Sequence, residues 1–339
     1  MADPTAAGYD FAIFGANPLS ALLAGLLVHD HGKQVLRIAD PVSPQRLPRA
    51  LDLALPLATR PASWRLLRQS EAETWALLET LDARDTLALT SAKLVADLPG
   101  TVAALAHLSH VARGFGLRSR EGLFSGVSRL NGDISLADSK VVTVERDAAK
   151  LSFTRAGAAE LSISGELATV GQIVLADDAA ILDLLPEAQR PSQLAIQSMT
   201  ATLTTEARRL PASVMRYLDR GITLSQRQDL SILALISGEA DLAARLGSTI
   251  PGPFPLRRLA TTHYRRLVTT DGAPLLGRLK PSKLFVIAGL GDAGLFLAPP
   301  LARLLAGKSA AEEKSWFNAH DPARPSRDAV AEFVAEAVA

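Results

Sequence analysis

Hydrophobic positions early in the chain fall into three successive patterns. FAIFG (11–15) is a short, wholly apolar run, ALLAGLLVHDHG repeats its apolar residues at helical spacing, and QVLRIAD is apolar again. This predicts strand, helix and strand, a βαβ unit of about thirty residues whose helix ends near Gly32. SWRLLRQSEAETWALLETL (63–81) and TVAALAHLSHVARGFG (101–116) also have the helical period. KVVTVERDA and LSFTRAG alternate as strands, and GQIVLADD is a buried strand. Between 196 and 238, the segments IQSMTATLTTEARRL, SVMRYLDRGITLSQR and SILALISG predict an antiparallel meander. The tail SRDAVAEFVAEAVA puts Val330, Phe333, Val334 and Val338 on one helical stripe, as a packed helix requires. No internal repeat or low-complexity tract interrupts this order.

Composition narrows the picture. Hydrophobic residues make up 48% of the 339, enough to bury a sizeable core in one large α/β unit or two domains. The 36 Lys+Arg against 35 Asp+Glu give no one-signed field for nucleic acid or an anionic membrane. With no cysteine, disulfides, thiolate catalysis, Cys–zinc sites and cysteinyl-linked cofactors are excluded, in keeping with a cytoplasmic protein. MADPTAAGYD lacks the basic and apolar regions of a secretory signal. LFVIAGLGDAGLFLAPPLARLLAG (284–307) is long enough for a membrane span. Asp292, Pro299–Pro300 and the glycine spacing divide it instead into strand, loop and helix.

The turn after the first strand reads G-A-N-P-L-S. In a dinucleotide-binding turn three glycines serve the sharp bend, close approach of the pyrophosphate, and helix–strand packing. Gly15 supplies the first, Asn17 stands at the second and Ser20 at the third. Pro18 suits a helix start. Asn17 brings a side chain that competes with phosphate for the helix N-terminus. At the end of the second strand Ala39 occupies the expected acidic position, and Asp40 follows one residue later.

The C-terminal half carries a more specific set. HYRRLVTTDGAPLLGRL offers Arg266, Thr269, Asp271, Gly272, Pro274 and Gly277; KLFVIAGLGDAGLFLAPPLARLLAG then offers Gly289, Gly291, Gly294, Ala298 and Pro299. WFNAHDPAR closes the set. In this order the segments resemble the D-amino acid oxidase, glycine oxidase and sarcosine oxidase superfamily of FAD enzymes, strongest over 262–324. YDFAIFGAN resembles the family's opening strand, and the helix at 63–81 its first long helix.

The resemblance implies an α/β fold: a Rossmann-like FAD-binding domain (1–80, 136–190 and 282–339) and an antiparallel-sheet substrate domain (81–135 and 191–281). It implies non-covalent FAD, contacted by Gly15, Asn17, Ser20, Asp40, Val142, Gly289, Gly291, Asp292, Gly294 and Leu295. It also implies oxidation of a small amine or amino acid, with Arg266 clamping the substrate carboxylate by its two-pronged fork. Tyr264 shares the strand face of Arg266, whereas His263 points the other way. Arg227 resembles a structural arginine of the family's meander. The protein is expected to work without nucleic acid or a membrane span, as a monomer or a homo- or hetero-oligomer.

Two departures stand out. The family's A-[AT]-G turn is replaced by VLADDAA, with Asp178 in the glycine's place. A carboxylate about 6 Å from a phosphate is repelled by roughly 3 kcal/mol at an effective dielectric near 20. The loop that usually flanks the flavin ring is replaced by PVSPQRLPRALDLALP, where Arg46 and Arg49 offer phosphate contacts instead. These departures leave a second reading open, a non-catalytic, cofactor-poor relative acting as a subunit or binding module. His107 and His110 lie three apart on a helix without an acidic or third histidine partner nearby, so no metal is expected. No G-x-S-x-G elbow is present.

Overall fold

A computed structural model describes residues 8–40, 46–80, 83–131, 140–238, 245 and 257–325. The opening βαβ unit forms as its pattern requires: β1 (Tyr9–Phe14), α1 (Pro18–His29) and β2 (Val35–Ile38). Helix α1 stops before Gly32, whose φ of +62° lies in the left-handed region that glycine tolerates. β1 pairs in parallel with β2 on one side and with β10 (Val170–Leu175) on the other. β6 (Val142–Val144) adds beyond β2, and β17 (Phe285–Ala288) beyond β10. The antiparallel edge strand is β16 (Leu275–Arg278), which joins this sheet although it precedes the expected boundary at 282. Parallel strands covered on both faces read as unbroken apolar runs. One face packs under α1, α2 (Pro61–Thr80), α5 (Ala298–Leu305) and α6 (Ala311–Asn318) through Leu22, Leu67, Leu301 and Trp316. The other packs on α4 (Asp178–Leu184) and a small sheet of β7 (Ala149–Phe153), β8 (Ala159–Ile163) and β9 (Glu166–Leu167), through Ile181, Leu161 and Ile163.

The second large sheet has eight strands. β11 (Leu194–Glu206), β12 (Val214–Tyr217), β13 (Ile222–Gln226) and β14 (Ser231–Ser237) come from the predicted meander. β11 lies next to β14 rather than β12, and β15 (Arg258–Thr269) completes that edge. The remaining strands, β3 (Leu87–Val95), β4 (Arg118–Arg120) and β5 (Leu123–Leu130), were not anticipated from the pattern. β3 is mixed polar and apolar, as in LALTSAKLV, and gains its place by parallel pairing with β12. α3 (Pro99–Gly114) follows it at the predicted position. The stripe Val330, Phe333, Val334 and Val338 lies outside the described residues. Segment 284–307 divides as expected into strand, turn and helix. Among the described residues no helix is long and apolar enough to cross a membrane.

Candidate functional site

The C-terminal ends of β1, β10 and β17 lie side by side and open toward the inner face of the eight-stranded sheet. In open α/β sheets this is where ligands bind. Each end carries one of the motifs: Gly15–Ser20 after β1, Ala176–Asp178 after β10, and Gly289–Gly294 after β17.

The turn after β1 is tight. A Cβ on Gly15 would stand 2.7 Å from that of Ser20, so glycine is required for the bend. The Ser20 hydroxyl donates to the Gly15 carbonyl at 2.7 Å and is fully buried. Asn17 caps α1: its Oδ1 accepts from the Ser20 amide at 2.9 Å, and its Nδ2 donates to the Ala176 carbonyl at 3.0 Å. Both side chains, expected at the cofactor, are engaged by the protein itself, Ser20 within its own loop and Asn17 also with the loop after β10. Asn17 does compete for the helix N-terminus as anticipated.

The larger competitor is Asp177. Its Oδ2 accepts from the Ala16 amide at 2.7 Å, while Oδ1 caps α4 by accepting from the Ala180 amide at 2.6 Å. Asp178, expected to oppose phosphate, is aimed elsewhere: its carboxylate accepts from the Leu267 amide of β15 at 3.0 Å. The correction follows from the start of α4, which turns Asp177 into the crevice as N-cap and sends Asp178 toward the second sheet. Although Asp178 is only half-buried as a residue, its carboxyl is enclosed. Burial raises its pKa to about 6 and Asp177 adds to this, against the Leu267 hydrogen bond and the Arg266 charge.

That shift makes a testable statement about stability. The folded pKa exceeds the unfolded value of about 3.9, so the native state binds the extra proton between these limits and stability falls as pH rises through them. Asp178→Asn keeps an acceptor for the Leu267 amide and removes the charge. It should stabilise by about 1–3 kcal/mol near pH 7.5, with no gain below about pH 4. Denaturant midpoints at the two pH values measure this, and an equal gain at both would remove the carboxyl as its source.

The turn after β17 keeps its glycines in positions that need them. Gly289 has φ +71° and Gly291 φ +55°, and a Cβ on Gly289 would meet Thr269 at 2.8 Å. Leu295, expected at the cofactor, is fully buried. Asp292, expected at the cofactor, has its carboxylate ion-paired with Arg216 of β12, and both side chains are nearly buried. The Asp292 carbonyl accepts from the Leu53 amide at 2.9 Å. Leu53 belongs to an apolar segment running from Leu51 to Leu57. Leu51, Leu53, Leu55 and Leu57 are all buried against Trp64 and Phe124. Arg49, offered as a phosphate contact, lies over the Tyr264 ring at 5.4 Å, and its carbonyl accepts from the Tyr264 hydroxyl at 2.7 Å.

Arg266 is held from the neighbouring strand. Gln197 pairs with it across β11 and β15, and the Gln197 Oε1 accepts from its Nε and Nη2 at 3.1 and 2.8 Å. The Gln197 Nε2 in turn donates to the Ser237 hydroxyl at 2.8 Å. Arg266 lines a cavity with Met199, Arg216, Thr223 and Asp292, whose volume of ≈ 20 Å³ admits about one water or a carboxylate oxygen. Asp271 is paired with Arg324. Its buried carboxylate takes a two-pronged contact from Arg324, joining the DG-x-P segment to the closing DPAR element. Gly277 belongs to the same junction, since a Cβ there would stand 2.7 Å from Pro322.

Val142 sits partly exposed on β6 beside β2, and Asp40 is exposed just beyond β2. His263 faces away from Arg266, with Nδ1 3.0 Å from the Thr200 hydroxyl. Nε2 of His107 is 3.1 Å from the Thr59 carbonyl. No group of three or more His, Asp or Glu side chains fit to hold a metal occurs among the described residues. Sequence reasoning passed over Arg216, Gln197 and Arg37. Arg216 and Arg37 had a signal, a charge at one position of an otherwise apolar strand (VMRY, VLRI). Gln197 had none.

No protein-family model and no curated protein matches the sequence. Solved structures do match in fold. Glycine oxidase from Geobacillus kaustophilus superposes with a TM-score of 0.67 at 18% identity, covering 94% of this chain and 99% of its own. L-amino acid deaminase from Proteus vulgaris gives 0.67 at 13% identity, covering 91% and 93%. L-proline dehydrogenase from P. horikoshii gives 0.63 at 14%, covering 93% and 97%. The chain therefore has the fold of the D-amino acid oxidase and glycine oxidase group over nearly its whole length.

Proposed function

We propose that this protein is an FAD-dependent oxidoreductase acting on a small amine that bears a carboxylate, an amino acid in the simplest case. The observation that carries the reading is Arg266, fixed by Gln197 and Ser237 at a cavity between the inner sheet and the glycine turn. A guanidinium so held keeps its fork in one orientation, which limits the poses of a carboxylate bound there. The cavity admits about one carboxylate oxygen, and the Arg216–Asp292 pair borders it on the turn side.

The turns suit a dinucleotide in one respect that this chain demonstrates on itself: the Ala16 amide already holds an anionic oxygen, that of Asp177. Gly15 and the backbone near Asn17 would receive the pyrophosphate once Asp177 moves aside, with Asp40 at the ribose. The backbones of Val142, Gly289, Gly291, Gly294 and Leu295 would complete the seat. We assign this role to segments 1–80, 136–190 and 282–339, and the substrate side to 81–135 and 191–281. When bound, FAD supplies the acceptor for hydride from the substrate Cα–H. The protein's part is to anchor the carboxylate through Arg266 and to exclude water with Leu51–Leu57 and Trp64.

Purified protein should carry sub-stoichiometric, non-covalent FAD, released as a yellow chromophore on heat denaturation. Gly291→Asp, which puts a charge and a strained residue at φ +55°, should lower FAD affinity in a flavin-fluorescence titration. Colourless protein whose melting is unmoved by added FAD would replace this reading with that of a cofactor-free relative.

A further inference from the structure

The loops after β1 and β10 are fastened together by their own polar side chains. The Ala16 amide is the first N–H after the turn glycine, a donor such a turn offers to pyrophosphate. It is taken by Asp177, which also caps α4. On the next strand, Arg37 pairs in register with Ile13, two residues before Gly15, and the Gly15 amide donates to the Ile38 carbonyl at 3.1 Å. The Arg37 Nε is enclosed and has no hydrogen-bond partner among the described residues. Burial lowers the pKa of this guanidinium, and the Asp177 charge works against that lowering. A largely buried guanidinium thus lies within the field of the carboxylate that occupies the Ala16 amide.

We propose that Asp177 is a built-in plug of the nucleotide site, seated on the Ala16 amide, and that it transfers to Arg37 when a pyrophosphate group enters. This rests on the flavin reading for the identity of the ligand, though the plug itself requires only an anion seat at Ala16. The plug leaves a fraction of molecules competent to bind, and apparent affinity falls by that fraction. Removing the plug therefore tightens binding. Removing Arg37 weakens it solely while Asp177 is present.

Five proteins test this: wild type, Asp177→Ala, Arg37→Met, the double variant, and Asp177→Asn, which keeps the α4 cap but not the charge. Each is titrated with FAD by flavin fluorescence, and its melting is followed with inorganic pyrophosphate. Asp177→Ala should bind FAD at least about tenfold more tightly and gain a pyrophosphate-dependent rise in melting temperature, with Asp177→Asn in between. Arg37→Met should weaken FAD several-fold in the wild-type background and leave Asp177→Ala unchanged. Unaltered FAD affinity and no pyrophosphate effect in Asp177→Ala would overturn the plug and leave Asp177 a helix cap. Equal weakening by Arg37→Met in both backgrounds would overturn the transfer, because Arg37 would then touch the ligand itself. If pyrophosphate stabilises Asp177→Ala while FAD binds no variant, the plug stands and the flavin reading falls.

Discussion

Arg266→Ala is expected to raise the apparent KM for a carboxylated amine at least about tenfold while barely changing activity on a matched amine without the carboxylate. Truncating one partner of a buried, hydrogen-bonded charge pair costs about 2–5 kcal/mol. Only the substrate that supplies the other partner should feel it. Arg266→Lys should rescue in part, because an ammonium cannot make the two-pronged contact. Gln197→Leu tests the positioning of the guanidinium, since Gln197 accepts from both its Nε and Nη2. That variant should raise KM for the carboxylated substrate by a smaller factor, with kcat on the matched amine unmoved. Equal losses on the two substrates, accompanied by a lower Tm, would make Arg266 a structural partner of Gln197 and remove its anchoring role.

Arg324→Met should destabilise the protein by about 3–5 kcal/mol, the usual loss when a buried pair is broken from one side. The side chains of Arg324 and Asp271 are 5% and 1% exposed, so the abandoned carboxylate has no route to water. Arg324 also donates to the Ala273 carbonyl at 3.1 Å, which would lose its partner as well. Adding Asp271→Asn removes the stranded charge and keeps an acceptor for the Ala273 amide, now 3.2 Å from Asp271. The double variant should recover a large part of the loss. Urea denaturation of the three proteins measures this, and a single variant within about 1 kcal/mol of wild type would show that the pair breaks even against its desolvation. The pair also ties together two separate segments of this chain, DGAP and DPAR, since each supplies half of one ion pair.

Much of the fold is legible along the chain because burial leaves a periodic trace. The run FAIFG and the helical spacing of 63–81 and 101–116 appear in the structure as β1, α2 and α3. β3 and β5 left no such trace. Leu89 is exposed and the strand alternates loosely, so pairing with β12 rather than patterning makes it a strand. The site divides in the same way. Gly15 and Gly289 are readable because each forbids a Cβ by local sterics, and those sterics are the same in any protein that makes the turn.

What the sequence by itself determined was the βαβ opening, the places of the glycine turns and the helices at 63–81 and 101–116. Which of two adjacent aspartates meets the turn after β1 was decided by the tertiary structure alone. Asp177 and Ala16 are 161 positions apart, and they meet because β10 lies beside β1 and α4 starts one residue beyond Asp177. The same holds for Arg216 with Asp292 and Arg324 with Asp271. Periodicity and turn chemistry act between near neighbours, so they can be read from spacing. The partner of a buried charge is whichever group the topology brings within a few ångströms, and no local pattern records that choice.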